Sequence, residues 1–157
     1  MIRKSLTCLA MVGTLILGSC GSSQKNAAEY NNAIITVING NEAHISNMNA
    51  AMTSADYAKA ETVRSEWEKS LSTDIKKVED LGDFNGDGDF QNAVIAGLKE
   101  YQKIVTDSYP KLIEIRKNNV QDPATESKLL DEINNAFESA ANNVNKASDA
   151  FETKYNK

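Results

Sequence analysis

The stretch 122-DPATESKLLDEINNAFESAANNVNKASDAFETKY-155 decides how the rest of the chain is read. Leu129, Leu130, Ile133, Phe137, Ala140, Val144, Ala147, Phe151 and Tyr155 recur every three or four positions. That period puts side chains on one face of an α-helix. Asp122 before Pro123 supplies the start: an acidic N-cap, then a residue whose fixed φ and missing N–H suit the first turn. A helix of this length runs roughly 50 Å at 1.5 Å per residue. An apolar stripe that long has to be covered by partners of comparable length.

Working outward, three earlier segments offer such partners. The first carries Tyr30, Ile34, Val37, Ile38, Ile45, Met48 and Met52 on one stripe. Thr53 and Ser54 interrupt it and are the expected caps of the next helix, with Asp56 adding negative charge to its first turn. The second segment carries Tyr57, Ala60, Val63, Trp67, Leu71, Ile75, Val78 and Leu81, and ends at the Gly-Asp-rich stretch Gly82 to Asp89. The third runs from Phe90 through Val94, Gly97, Leu98, Tyr101, Ile104, Val105 and Leu112 to Ile115. Pro110 lies inside it and removes one backbone donor, so a bend or brief break is expected there. No comparable run of alternating β-branched residues predicts a strand. The economical arrangement is all-α: an antiparallel up-down four-helix bundle with a kinked third helix. Ala140 and Ala147 would let a neighbouring helix approach closely. The alternative is an elongated pair of helical hairpins that completes its core with a partner.

The N-terminus has its own grammar. Arg3 and Lys4 precede an apolar run from Leu6 to Leu17, followed by Gly18, Ser19 and Cys20. The run is about 12 residues, short of the roughly 20 a membrane-spanning helix needs. Its order is that of a secretory signal. Residues 1–19 thus read as a cleaved signal peptide, 20–26 as a lipidated tether and 27–157 as the helical domain. Leu17-Gly18-Ser19-Cys20 resembles the bacterial lipobox. That resemblance implies acylation of Cys20, with palmitate-like chains, and a lipoprotein held to the bilayer of the bacterial cell envelope. At about 0.8 kcal/mol per buried CH₂, several acyl chains anchor stably. Gly21 stands where an Asp would resemble an inner-membrane retention signal, so the expected location is the outer membrane. Cys8 and Cys20 are the only cysteines. One leaves with the signal and the other carries lipid, so packing alone must hold the mature domain.

The chain has 17 Lys and Arg against 22 Asp and Glu, a formal charge of −5. Losing Arg3 and Lys4 with the signal makes the remainder more acidic still. Interspersed charges of net negative sign exclude a nucleic-acid partner, which needs clustered cations.

One motif points to an ion. In Asp83-Phe84-Asn85-Gly86-Asp87-Gly88-Asp89-Phe90, oxygen side chains alternate and a glycine sits sixth, as in the first half of an EF-hand calcium loop. Asp83, Asn85 and Asp87 fit positions one, three and five, Asp89 would offer its carbonyl, and Gln91 fits the water-mediated ninth. The twelfth position, where a bidentate Glu belongs, is Val94. Glu100 lies about two helical turns too late. The competing reading is an acidic turn in which Asp87 or Asp89 caps the third helix while Phe84 and Phe90 pack underneath.

Tyr30-Asn31, the Phe84-x-Gly86-Asp87-x-x-Phe90 turn and Tyr101 together resemble an uncharacterised leptospiral-type family of predicted surface lipoproteins. The resemblance covers most of the mature chain. It implies a helical lipoprotein with no known activity, in which the Gly-Asp turn is not generally a complete calcium loop. The additional Gly88-Asp89 departs from that pattern toward calcium.

Catalytic groupings are not evident. His44 is the only histidine, and nothing pairs with it at the spacing of a nucleophile system or a helical metal site. Glu66 with Glu68 and Glu79 with Asp80 lie among Arg64, Lys69, Lys76 and Lys77 and read as a solvated face. Trp67 falls on a core stripe. The expected function is a non-enzymatic, membrane-anchored binding module for an envelope protein or small ligand, with no required cofactor. The alternatives are a calcium-dependent module and, as the weakest reading, an enzyme.

Overall fold

The computed structural model describes residues 26–155, so the expected signal peptide, Cys20 and most of the expected tether lie outside the described residues. Within them the chain forms α1 (Ala27–Asn39), α2 (Glu42–Thr53), α3 (Tyr57–Leu81), α4 (Asp89–Lys103), α5 (Tyr109–Lys117) and α6 (Pro123–Tyr155), with no strand among them. The α1–α2 pair forms one rod and α4–α5 another. With α3 and α6 these make the expected all-α bundle of four helical rods.

Register follows from contacts between rods. The Tyr30 hydroxyl donates to Gly82 O (2.8 Å), which sets the start of α1 beside the end of α3. Asn31 Nδ2 donates to Glu152 Oε1 (3.2 Å), which sets it beside the end of α6 as well. Ser139 Oγ donates to Glu100 Oε1 and Ser108 Oγ to Glu132 Oε2, so α4–α5 and α6 run antiparallel. The α4–α6 interface is the most extensive in the bundle. A Cβ on Gly97 would lie 3.3 Å from Val144 Cγ2 and 3.4 Å from the Ala140 Cβ, so the small pair Gly97/Ala140 permits the close approach. Ile34, Met48, Trp67, Leu71, Val78, Val94 and Val105 fill the centre.

Three local features differ from the sequence-based expectation. The first rod is interrupted at Gly40 and Asn41, where the Asn41 N–H turns to Ile38 O three residues back (3.0 Å). The interruption lets Asn41, 1% exposed, accept from Trp67 Nε1 (2.8 Å), which gives the buried indole its partner. The cap of α3 is Asp56, whose Oδ1 accepts from Lys59 N (3.0 Å), rather than Thr53 or Ser54, which close α2. Pro110 does not break the third rod. A π-helical turn over Ile104–Ser108 precedes it, with the Tyr109 N–H reaching back five residues to Ile104 O. The wider turn absorbs the lost donor and keeps the helix continuous. Asp122 caps α6 as expected, its Oδ1 accepting from Thr125 N (3.0 Å) ahead of Pro123.

Candidate functional site

Two places gather polar side chains beside an apolar surface, one at each end of the bundle. At the end where the described chain begins, Phe84 and Asp87 exchange backbone hydrogen bonds of 2.9 and 3.0 Å across Asn85-Gly86. Both central residues have positive φ, 55° and 88°. A type I′ hairpin turn demands this, and Asn-Gly meets it at least cost. Asp83 Oδ1 accepts from Gly86 N (2.9 Å) and stiffens the turn. Asp87 Oδ1 accepts from Asp89 N (3.1 Å) at the start of α4, while Oδ2 accepts from Lys154 Nζ (2.7 Å) and Tyr155 Oη (2.9 Å). The Lys154 ammonium first, then the Asp89 N–H and the Tyr155 hydroxyl, hold the Asp87 carboxyl below its ordinary ionisation range. Lys154 is correspondingly raised, chiefly by its hydrogen bond to Asp87.

These contacts locate the five residues that suggested calcium. Asp83 and Asp87 already serve the turn, and Asn85 and Asp89 are exposed on its outside. Gln91 requires a correction. It does not face the turn as a ninth-position ligand; its Nε2 donates to Val78 O (2.8 Å) and Glu79 O (3.3 Å). The end of a helix leaves carbonyls without partners, and a buried amide side chain satisfies two of them here. Among the described residues, no group of three or more His, Cys, Asp or Glu side chains is placed to hold one metal ion. Of the two expected capping residues it is Asp87 that takes an N–H of α4, and Phe84 and Phe90 do pack beneath.

At the opposite end, α2 packs against α3 without comparable contact to α6. The space between α2, α5 and α6 is a groove of about 180 Å³. Met52, Leu130 and Phe137 are half-buried along it, and the buried Tyr109 and the exposed Asn49 and Asn134 also line it. Arg116 also lines it, but its guanidinium is paired with Glu126 (2.8 Å), so no unpaired charge faces the groove. Burial pushes the Tyr109 phenol well above its ordinary ionisation range, so it is a neutral hydroxyl. A wider hollow of about 490 Å³ beside Tyr57, Glu61, Pro110 and Lys117 is open to solvent, and Glu61 there is engaged by Arg64 (2.6 Å).

His44 stacks on Trp67 at 6.2 Å with planes 7° apart, at the edge of the core. Glu66, Glu79 and Asp80 are exposed, and Glu68 pairs with Arg64 (2.9 Å). None of them faces the groove. Sequence reasoning did not identify Tyr109 or the two asparagines as a group. Helical periodicity tells which residues point inward, not which pair of rods stays apart. For Asn41 a signal existed: Gly40-Asn41 sits in mid-stripe, where poor helix formers mark a break.

No helix among the described residues is long and apolar enough to cross a membrane. Comparison of the chain with family models, curated proteins and solved structures finds no match.

Proposed function

We propose that the protein is a lipid-anchored envelope module that binds a partner or small ligand without turning it over. The observation that carries this reading is the position of the N-cap of α1 relative to Cys20. Asn26 opens α1 at the same end as the Gly82–Asp89 turn and the C-terminus of α6. Only six positions separate it from Cys20, a tether of at most about 20 Å. A lipid on Cys20 therefore holds the closed end of the bundle at the membrane. The groove between α2, α5 and α6 lies toward the opposite end, roughly 30 Å away along α6. The lipobox resemblance and Gly21 support an outer-membrane location. The resemblance to leptospiral-type surface lipoproteins supports the same assignment.

Cell fractionation tests the anchor. The parent protein should sediment with outer membranes, while Cys20→Ala should be released yet keep its helical circular dichroism. Retention of Cys20→Ala in the membrane fraction would overturn the anchor. Crosslinking in intact envelopes should then capture a partner at the groove end, and turnover of an envelope substrate abolished by a single acidic substitution would refute the non-enzymatic reading.

A further inference from the structure

The groove contains a polar group that the fold leaves unmet. Tyr109 is 3% exposed, yet its hydroxyl has no hydrogen-bond partner among the described residues. Its oxygen is not among the fully sealed unpartnered atoms, as Asn31 Oδ1 and Glu100 Oε2 are, and the groove is the hollow that Tyr109 lines. Buried hydroxyls normally find partners, and one that does not is positioned for a water or a ligand. The walls around it are aromatic and soft: the Phe137 ring, the Met52 thioether and Leu130. Aromatic rings and methionine sulfur both favour an aromatic guest through edge and offset contacts. Size agrees. An engineered apolar cavity of about 150 Å³ accepts benzene, so about 180 Å³ accommodates one ring with a small substituent. Charge narrows the class further, because Glu126 already neutralises Arg116. A groove without an unpaired charge suits a neutral guest.

We propose that the groove binds a small neutral aromatic molecule bearing one hydrogen-bond acceptor, its ring against Phe137 and Met52 and its acceptor on the Tyr109 hydroxyl. This deepens the binding-module reading above and rests on it. The lone tryptophan offers a built-in reporter, since Trp67 lies 6.1 Å from the Tyr109 ring and 6.3 Å from the Phe137 ring.

Benzamide is the probe, titrated into the purified mature chain while Trp67 emission is followed, with toluene and benzoate as controls. Saturable binding is expected with a Kd of about 1 mM. Toluene, lacking the acceptor, and benzoate, carrying a charge, should each bind about tenfold more weakly. Tyr109→Phe should weaken benzamide about tenfold and leave toluene unchanged. Asn134→Phe, a substitution on the exposed rim, should obstruct both without disturbing the core. The proposal is overturned if benzamide gives no saturable change up to about 20 mM, or if Tyr109→Phe binds it as tightly as the parent. If benzamide fails while the anchored protein still crosslinks to an envelope partner at this end, the small-ligand assignment falls and the binding-module reading stands.

Discussion

The two ends of the bundle use the same kinds of residue to opposite effect. At the end near Asn26, Phe151 meets Tyr30, Phe84, Phe90 and Tyr155 with ring centroids 4.9 to 5.6 Å apart. The Asn85-Gly86 turn is latched over them by Asp87, and the carbonyls at the end of α3 are taken up by Tyr30 and Gln91. At the far end, Tyr109 and Phe137 are also aromatic, but α2 does not close against α6 above them. Aromatic area covered on all sides contributes stability, and at the far end Tyr109 is likewise buried while Phe137 keeps part of its ring uncovered. The closed end is therefore sealed by its ring cluster, whereas the other end leaves a groove between α2, α5 and α6.

The largest test of this division removes one ring from each end. Phe151→Ala should cost about 3–5 kcal/mol in chemical denaturation, the usual range for a fully enclosed phenylalanine. Phe137→Ala, at a ring only partly buried, should cost less, about 1–2 kcal/mol. Equal losses would mean that the groove end is as tightly packed as the other, and the contrast between them would fail.

A smaller effect separates the ends by pH. Burial first, then the nearby Asp83 and Asp87 charges, raises the Tyr30 phenol from 10.0 to about 12. A raised value means that the neutral phenol stabilises the fold fully below pH 10, and this contribution is lost as pH climbs from 10 through about 12. Tyr30→Phe should remove the Gly82 hydrogen bond, costing about 1 kcal/mol at pH 7, and should flatten the alkaline loss. Tyr109 is raised by burial as well, but it has no protein hydrogen bond to lose. Tyr109→Phe should therefore flatten the alkaline loss with almost no change at pH 7. Urea unfolding of both variants at pH 7 and pH 10.5 checks the pair. If Tyr30→Phe follows the parent curve at high pH, the Tyr30 phenol is not held neutral by the closed end.

These contrasts mark what could be read before the structure. The four rods, their antiparallel order and the Asp122-Pro123 start follow from periodicity and caps, because both are local and repeat along the chain. The small-residue contact at Ala140 was legible, although its partner Gly97 was visible only as one glycine in a stripe. The π turn before Pro110 was not legible: a proline announces a lost donor, but bending, breaking and widening all answer it. The open groove was equally hidden, since Met52, Leu130 and Phe137 carry the same periodic signature as their fully buried neighbours. Gln91 misled because a side chain at a loop-like spacing can turn back to the nearest unpaired carbonyls, and here the end of α3 provided them.

The smallest effect bears on calcium, and on whether the closed end is a fixed latch. Asp87 is depressed below its ordinary 3.8, so its contribution is complete above that value and drains away as pH falls below it. Calcium would have to displace Lys154 and Tyr155 from Oδ2 before it could use that carboxylate. Millimolar calcium should then move the Tm of the parent by less than about 1 °C. Lys154→Ala sharpens the experiment, because it removes the competing charge and leaves only the Tyr155 hydroxyl on Asp87 Oδ2. If the turn has latent ion-binding geometry, calcium should stabilise Lys154→Ala more than the parent, and Asp83→Asn should abolish the difference. A rise of several degrees in the parent itself, lost in Asp87→Asn, would make the latch an ion-controlled one, and the closed end could no longer be treated as inert scaffolding for the groove.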